Sequence, residues 1–402
     1  MTHDLRTATL RLLDYCRRED WAGYEPYDAL NSKLLEDLSL LTFKVPRLLL
    51  TQALKRSPID TRAFLRIPKT QNPKAIGLFL STLIKLSNST IVAADSDIAG
   101  LLDSLISLRS TPSPYWCWGY SFPWQTRGVL VPRWEPNLIC TYFVANALLD
   151  YYEQTKDSRI LDMAVSSANY ILNELYWSAS GVSAFGYPLP WVHVVVHNAN
   201  LLAAALLCRV YKLTGEQTFL DPALNAARYA VSCQQSDGSW YYGEHPAQRW
   251  IDNFHTGYNL LALRSIGQSL GTGEFEAALK RGFDFYRSHF FRKDGAVGYF
   301  HNRFYPIDSH CAAQSIITAV ELKDLSLDNV RLANSVFEWS MNHMWDKKWF
   351  FYYRKLRVCK IRTSYIRWTQ AWMLAALTTL LVDAEAVQPS NPAQIVESVE
   401  VS

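Results

Sequence analysis

Residues 233–263 read CQQSDGSWYYGEHPAQRWIDNFHTGYNLLAL. The stretch begins at the end of an amphipathic segment, turns at Asp237-Gly238 and crosses an aromatic loop. It then enters a helix that opens on polar residues and becomes almost wholly apolar. The same succession occurs five times, with apolar helices opening near Asn137, Asn198, His255, His310 and Trp368, at intervals of 55–61 residues. Between them lie segments such as SRILDMAVSSANYILNELY and EFEAALKRGFDFYRSHFF, apolar at i, i+3, i+4 and i+7 and charged on the other face. A helix that is apolar all round has to be buried all round, and an amphipathic one covers it from outside. NPKAIGLFLSTLIKL, from Asn72, with SDIAGLLDSLISLRS supplies a further pair, and a helix over about 4–19 completes the outer set. The pattern predicts an all-α (α/α)6 barrel of six inner and six outer helices. It is read as one domain over 1–385, with an irregular basic insertion at about 20–71 and a disordered tail at 386–402.

Composition narrows the function classes. Apolar residues make up 49% and aromatics 13%, many of them in Gly- and Pro-containing loops where they either pack between elements or stack on a ring-shaped ligand. A net charge of +3 does not argue for nucleic acid. Seven cysteines without CxxC or Cys/His ligand spacing read as reduced thiols, and no metal or other cofactor is expected. The first residues lack the apolar core of a signal peptide, and no apolar run is long enough to span a bilayer. A cytoplasmic protein is the expectation. Between residues 44 and 74, Lys44, Arg47, Lys55, Arg56, Arg62, Arg66, Lys69 and Lys74 face only Asp60 as an acid. The strip is either a solvated face or a docking surface for anionic lipid, an acidic polymer or a membrane-associated synthase complex.

In such a barrel all inner helices start at one end, so the loops before them share one mouth, where free helix N–H groups favour anions. Those loops carry His197 with Asn198, Asp252 with His255 and Tyr258, and Asp308 with His310. Each Asp also suits an N-cap. Trp118, Arg127, Arg133, Trp191, His193, Trp240, Arg249, Arg303, Tyr305, Arg362, Tyr365 and Arg367 stand near them as candidate substrate contacts. Two chemistries fit. Removal of the C5 proton of a uronic acid needs a neutral base, a proton donor and cations on the carboxylate. His255 or Tyr258 is the candidate base, and His197 or His310 the partner acid. Arg249, Arg303 and Arg367 are the candidate clamps, with Trp118, Trp191 and Trp240 stacking on sugar rings. Glycoside hydrolysis instead needs two carboxylates, here Asp252 and Asp308, with Glu244 and Glu135 in reserve.

QQSDGSW resembles the QW motif of squalene and oxidosqualene cyclases, themselves α-α toroids, but the chain has neither a DxDD nor a DDxxD motif. The wider pattern is similar to the six-hairpin glycosidase superfamily and to toroidal polysaccharide lyases and uronyl C5-epimerases. WAGYEPYDALNSKLL (21–35), NPKAIGLFL (72–80), WQTR (124–127) and WIDNFHTGYNLLAL (250–263) resemble a bacterial family met among exopolysaccharide-biosynthesis proteins, over about Trp21 to Leu380. That resemblance implies a role in making or tailoring a surface polysaccharide and transfers no catalytic residue. The reading that follows is an epimerase or lyase acting on an acidic oligo- or polysaccharide. The alternatives are a glycoside hydrolase and a non-catalytic glycan-binding scaffold.

Overall fold

The computed structural model describes residues 3–37 and 39–387. The inner helices are α3 (Pro73–Asn88), α5 (Leu138–Thr155), α7 (His197–Thr214), α9 (Asn253–Leu270), α11 (Ser309–Glu321) and α13 (Ala371–Val387). Each packs on the next, and α13 returns to α3, closing the ring. The outer helices are α1 (Leu5–Arg18), α4 (Asp95–Ser107), α6 (Ser158–Tyr170), α8 (Leu220–Ser232), α10 (Glu276–Phe290) and α12 (Asn329–Met344). The chain is therefore an (α/α)6 barrel, as its two kinds of helix predict. Inner α7 is buried without a break from His197 to Cys208, whereas outer α8 buries only Ala223, Ala226, Ala227 and Ala230, one stripe at helical spacing. From residue 388 on, the segment read as a disordered tail lies outside the described residues.

Four inner helices begin with the same device. The side chains of Asn72, Asn137, Asp252 and Asp308 accept from the backbone N–H of Lys74, Cys140, His255 and His310, satisfying donors that a helix start leaves free. At the far end of the barrel α7 and α9 stop on Gly215 and Gly271 in the left-handed conformation. The helix starts thus gather at one mouth, and short antiparallel ladders stiffen the loops there. β1 (Trp124–Gln125) pairs with β2 (Leu130–Val131), β3 (Tyr176–Ala179) with β4 (Val182–Phe185), and β5 (Ile307–Asp308), β6 (Arg354–Lys355) and β7 (Lys360–Ile361) form one three-stranded sheet.

The QQSDGSW stretch is a staple between outer helices. Gln234 donates to the carbonyls of Gly238 and Ala278, and the Trp240 indole N–H donates to Ala230 at the end of α8. Gly238 has φ +91°, and a Cβ there would lie 2.3 Å from the carbonyl oxygen of Arg281 in α10. Gly238→Ala is expected to cost about 2–4 kcal/mol of folding free energy, read by denaturant unfolding, because both backbone strain and a backbone clash oppose it.

The segment read as an irregular basic insertion contains α2 (Lys44–Arg56). The sheet-like bridges Gly23 to Thr70 and Tyr24 to Tyr365 fold this segment back over the mouth. Three of the eight basic side chains between residues 44 and 74 point inward. Arg62 is buried against Asp28 at 2.9 Å, Lys55 is buried on the Tyr27 hydroxyl, and Lys74 is buried inside the barrel. These three side chains cannot belong to a surface strip.

Candidate functional site

At the mouth the helix starts enclose a cavity of about 380 Å³. Its lower wall is made by α9 and α11. His255 Nδ1 lies 2.8 Å from Asp252 Oδ2, an oxygen that also accepts from the Trp250 indole at 2.9 Å. With Asp252 Oδ1 accepting from the His255 backbone N–H, both carboxylate oxygens are engaged in holding this residue. The free ring nitrogen of His255 is Nε2, on a side chain that lines the cavity.

Beside it, His310 Nε2 and the Tyr258 hydroxyl are 2.6 Å apart. The His310 ring lies between Phe254 and Trp372, with centroids 4.6 and 4.7 Å away and planes within 24° of parallel. Burial, reinforced by the nearby charges of Lys74 and Arg367, holds His310 well below the ordinary imidazole range, so it is neutral. Burial likewise pushes the Tyr258 phenol well above its ordinary value, so it keeps its proton. The two groups form a neutral, proton-sharing pair.

The floor of the cavity is Lys74, the second residue of α3. Its Nζ sits 4.2 Å from the centre of the Phe143 ring and within 6 Å of Tyr258 and Trp372, and among the described residues it has neither a hydrogen bond nor an ion pair. Burial and the charge of Arg367 lower its pKa well below the usual lysine value. Arg367, carried on a π-helical turn at Ile366–Gln370, also lines the cavity, but Glu25 faces it with two carboxylate contacts of 3.0 and 2.8 Å. Burial raises Glu25 to about 7 against the pull of that guanidinium. At the rim, the exposed Arg127 lies over the Trp250 ring and has no carboxylate partner among the described residues. Asn198 Oδ1 and Trp124 Nε1, both on the cavity wall, are buried without a partner.

Asp252 is the only carboxylate among the described residues that line this cavity. Asp308, paired with it in the hydrolase reading, lies fully buried outside the lining. Its oxygens are held by the His310 backbone N–H, the Trp368 indole and Arg354. Both aspartates cap helices, and they do not face each other across a sugar-sized gap.

The structure therefore brings together His255, Tyr258, His310, Asp252, Asn198, Arg127 and Arg367, and separates the other candidates from them. His197 points away, its Nε2 2.7 Å from Glu244, in a small group with Cys233. Trp118 and Trp240 are core residues whose indoles donate to helix carbonyls, so neither has a face to offer a sugar. Tyr365 is buried under Arg62. Arg249, Arg303 and Arg362 lie exposed over Tyr241, Phe300 and Tyr352, outside the lining. Arg133 donates to Asn31, exposed His193 stacks on Trp177, and neither Trp191, 67% exposed, nor Tyr305 reaches the cavity. Ring surface facing the cavity comes instead from the half-buried Trp124 and Trp250. Lys74, Tyr27, Glu25 and Trp250 are the site residues that the sequence reading passed over.

A larger hollow of about 640 Å³ opens at the other end of the barrel, behind a plug of Phe143 and Trp372. Charged groups on its wall are paired, as Lys85 is with Glu321 and Asp150 with the neighbouring Arg209, while Arg264 Nε, Trp372 Nε1 and Thr378 Oγ1 are buried there without a partner.

No protein-family model matches the chain, and neither does any curated protein sequence. Solved structures do resemble it. An unsaturated glucuronyl hydrolase specific for heparin superposes with a TM-score of 0.60 at 12% identity, covering 94% of this chain and 96% of its own. A sugar epimerase from a ruminal bacterium gives 0.57 at 13% identity, covering 80% and 91%. The GH76 α-mannanase of Bacteroides thetaiotaomicron gives 0.58 at 13%, covering 78% and 86%. At these identities the likeness shows the shared (α/α)6 toroid. Among the described residues no helix is long and apolar enough to cross a membrane.

Proposed function

We propose that the protein is a carbohydrate-active enzyme that removes the C5 proton of a uronic acid in an anionic glycan, as an epimerase or a lyase. The observation that carries this reading is the make-up of the cavity. It holds an unpaired buried lysine and two imidazoles, each with a fixed partner, but among the described residues a single carboxylate, whose two oxygens are both engaged. A sugar carboxylate placed on Lys74, with Arg127 at the rim, supplies the missing counter-charge and draws electron density from C5. His255, oriented through Nδ1 by Asp252, presents Nε2 as the base. Tyr258, backed by neutral His310, is the proton donor. It delivers to C5 from the opposite face for epimerisation, or to the departing O4 oxygen for elimination. The fold supports the reading only by analogy, since similar toroids include enzymes named as a sugar epimerase and as a glucuronyl hydrolase. The role in bacterial exopolysaccharide biosynthesis belongs to the same proposal and rests on sequence resemblance.

Two-carboxylate hydrolysis would need a second carboxylate beside Asp252, and among the described residues none other lines the cavity. Uronic-acid glycans incubated with the protein should yield inverted C5 centres or 4,5-unsaturated ends, seen by proton NMR and ultraviolet absorbance. Saturated reducing ends as the sole product would overturn the proposal, and binding without any product would favour a scaffold.

A further inference from the structure

We infer that the outer face of α2, with the segments flanking it, is a surface that docks the barrel mouth onto an anionic lipid bilayer. Twelve large apolar side chains are exposed among the described residues, and six of them, Leu40, Phe43, Val45, Leu49, Ile59 and Phe64, fall between residues 40 and 64. Singly exposed apolar residues are ordinary, but a cluster of them marks a contact surface. Phe43, Val45 and Leu49 are each more than 60% exposed, and Phe64 is 77% exposed.

The helix itself explains why these side chains have no partner in the barrel. Leu50 and Leu54 on the inner face of α2 pack with Ala29, Leu65 and Ile67, which fixes the helix in place. Val45, Leu49, Ala53 and Arg56 project from the opposite face, where a solvated helix would carry polar groups. Interior demand on α2 is already met by its inner face, so the outer apolar row serves something outside the chain.

Charge selects the occupant. Lys44, Arg56 and Arg66 are exposed around the patch and have no ion pair among the described residues, whereas Asp60, the only acid between residues 40 and 66, lies against Arg62. Apolar side chains rimmed by unpaired cations match a surface with anionic headgroups above an acyl layer. The patch also has a defined position relative to the cavity. Arg47 of α2 donates to Gln125 next to Trp124, and Lys55 reaches the Tyr27 hydroxyl, while Trp124 and Tyr27 line the cavity. Docking through α2 therefore brings the bilayer surface alongside the mouth.

Flotation of the full chain with phosphatidylcholine vesicles, with and without about one-third phosphatidylglycerol, tests this. Binding to the anionic vesicles, weakened by added salt, is the expected result. Phe43→Glu with Leu49→Glu should lower it at least about tenfold, and Lys44→Gln or Arg56→Gln about fivefold each. Unchanged thermal melting would show that these surface variants still fold. Equal binding to neutral vesicles, or none to either, overturns the inference. So does a concentration-dependent dimer that Leu49→Glu abolishes while no vesicle binding is seen, since the face would then belong to a second copy. The test reads membrane binding alone, so its failure leaves the chemistry proposed for the cavity untouched.

Discussion

Replacing His255 with Ala is expected to lower kcat on a uronic-acid glycan by about 10²–10⁴-fold, the range a positioned general base contributes, while glycan binding changes little. The effect follows from geometry. His255 is the cavity imidazole with a free Nε2, and Asp252 spends both oxygens and the Trp250 indole contact on keeping it in place. Asp252→Asn should also fall, because an amide can offer its N–H₂ to Nδ1 and favour the other tautomer. His197→Ala should keep near-native activity, since His197 faces Glu244 rather than the cavity. Steady-state kinetics on the three variants separate a base held by a carboxylate from a carboxylate that acts alone. Loss in Asp308→Asn with His255→Ala fully active would contradict the arrangement.

The second large effect is at Lys74, where stability and binding should move in opposite directions. A buried amine without a counter-ion is a cost to the folded protein, so Lys74→Met is expected to raise the melting temperature. The same change removes the charged contact to the substrate carboxylate and should weaken binding of an anionic glycan by about 10–100-fold. The native protein should show a pH signature that the variant lacks. In the free protein burial holds the Lys74 pKa well below 10.5, and a carboxylate bound beside it would raise it again. The complex therefore takes up a proton on forming, and affinity falls as pH rises from the depressed value towards that of the complex. Calorimetry in buffers of different ionisation enthalpy measures that uptake directly. Equal affinity of Lys74→Met for charged and neutral glycans, with no proton uptake in the native protein, would remove the lysine from recognition.

The barrel was legible because burial demand is written in side-chain chemistry. All-apolar runs such as that of α7 have no solvated face, and the stripe of α8 has one. The mouth was legible too, since polar residues recur where those apolar runs begin. Which polar residues enter the cavity was not. Lys74 follows the Asn72-Pro73 helix start in the same way that His255 and His310 follow their caps, yet it reads as one more member of a basic strip. Linear charge density does not distinguish a side chain pointing into a barrel from one pointing out. Arg249, Arg303 and Arg362 show the reverse error, because the loop path carries them outward, each exposed over an aromatic ring. Asp308 was misread for a third reason. Its partner Arg354 arrives on β6, from a segment 46 residues away. Glu25 and Tyr27 reach the site through the folding back of a segment that has no periodic signal at all.

The most direct test of the central claim is the fate of the C5 hydrogen. With a glycan deuterated at C5 of its uronic acids, the native protein should release deuterium into water whether it epimerises or eliminates, and His255→Ala should not. Retention of all the label alongside new reducing ends would show that the C5–H bond is never broken, and would contradict the account.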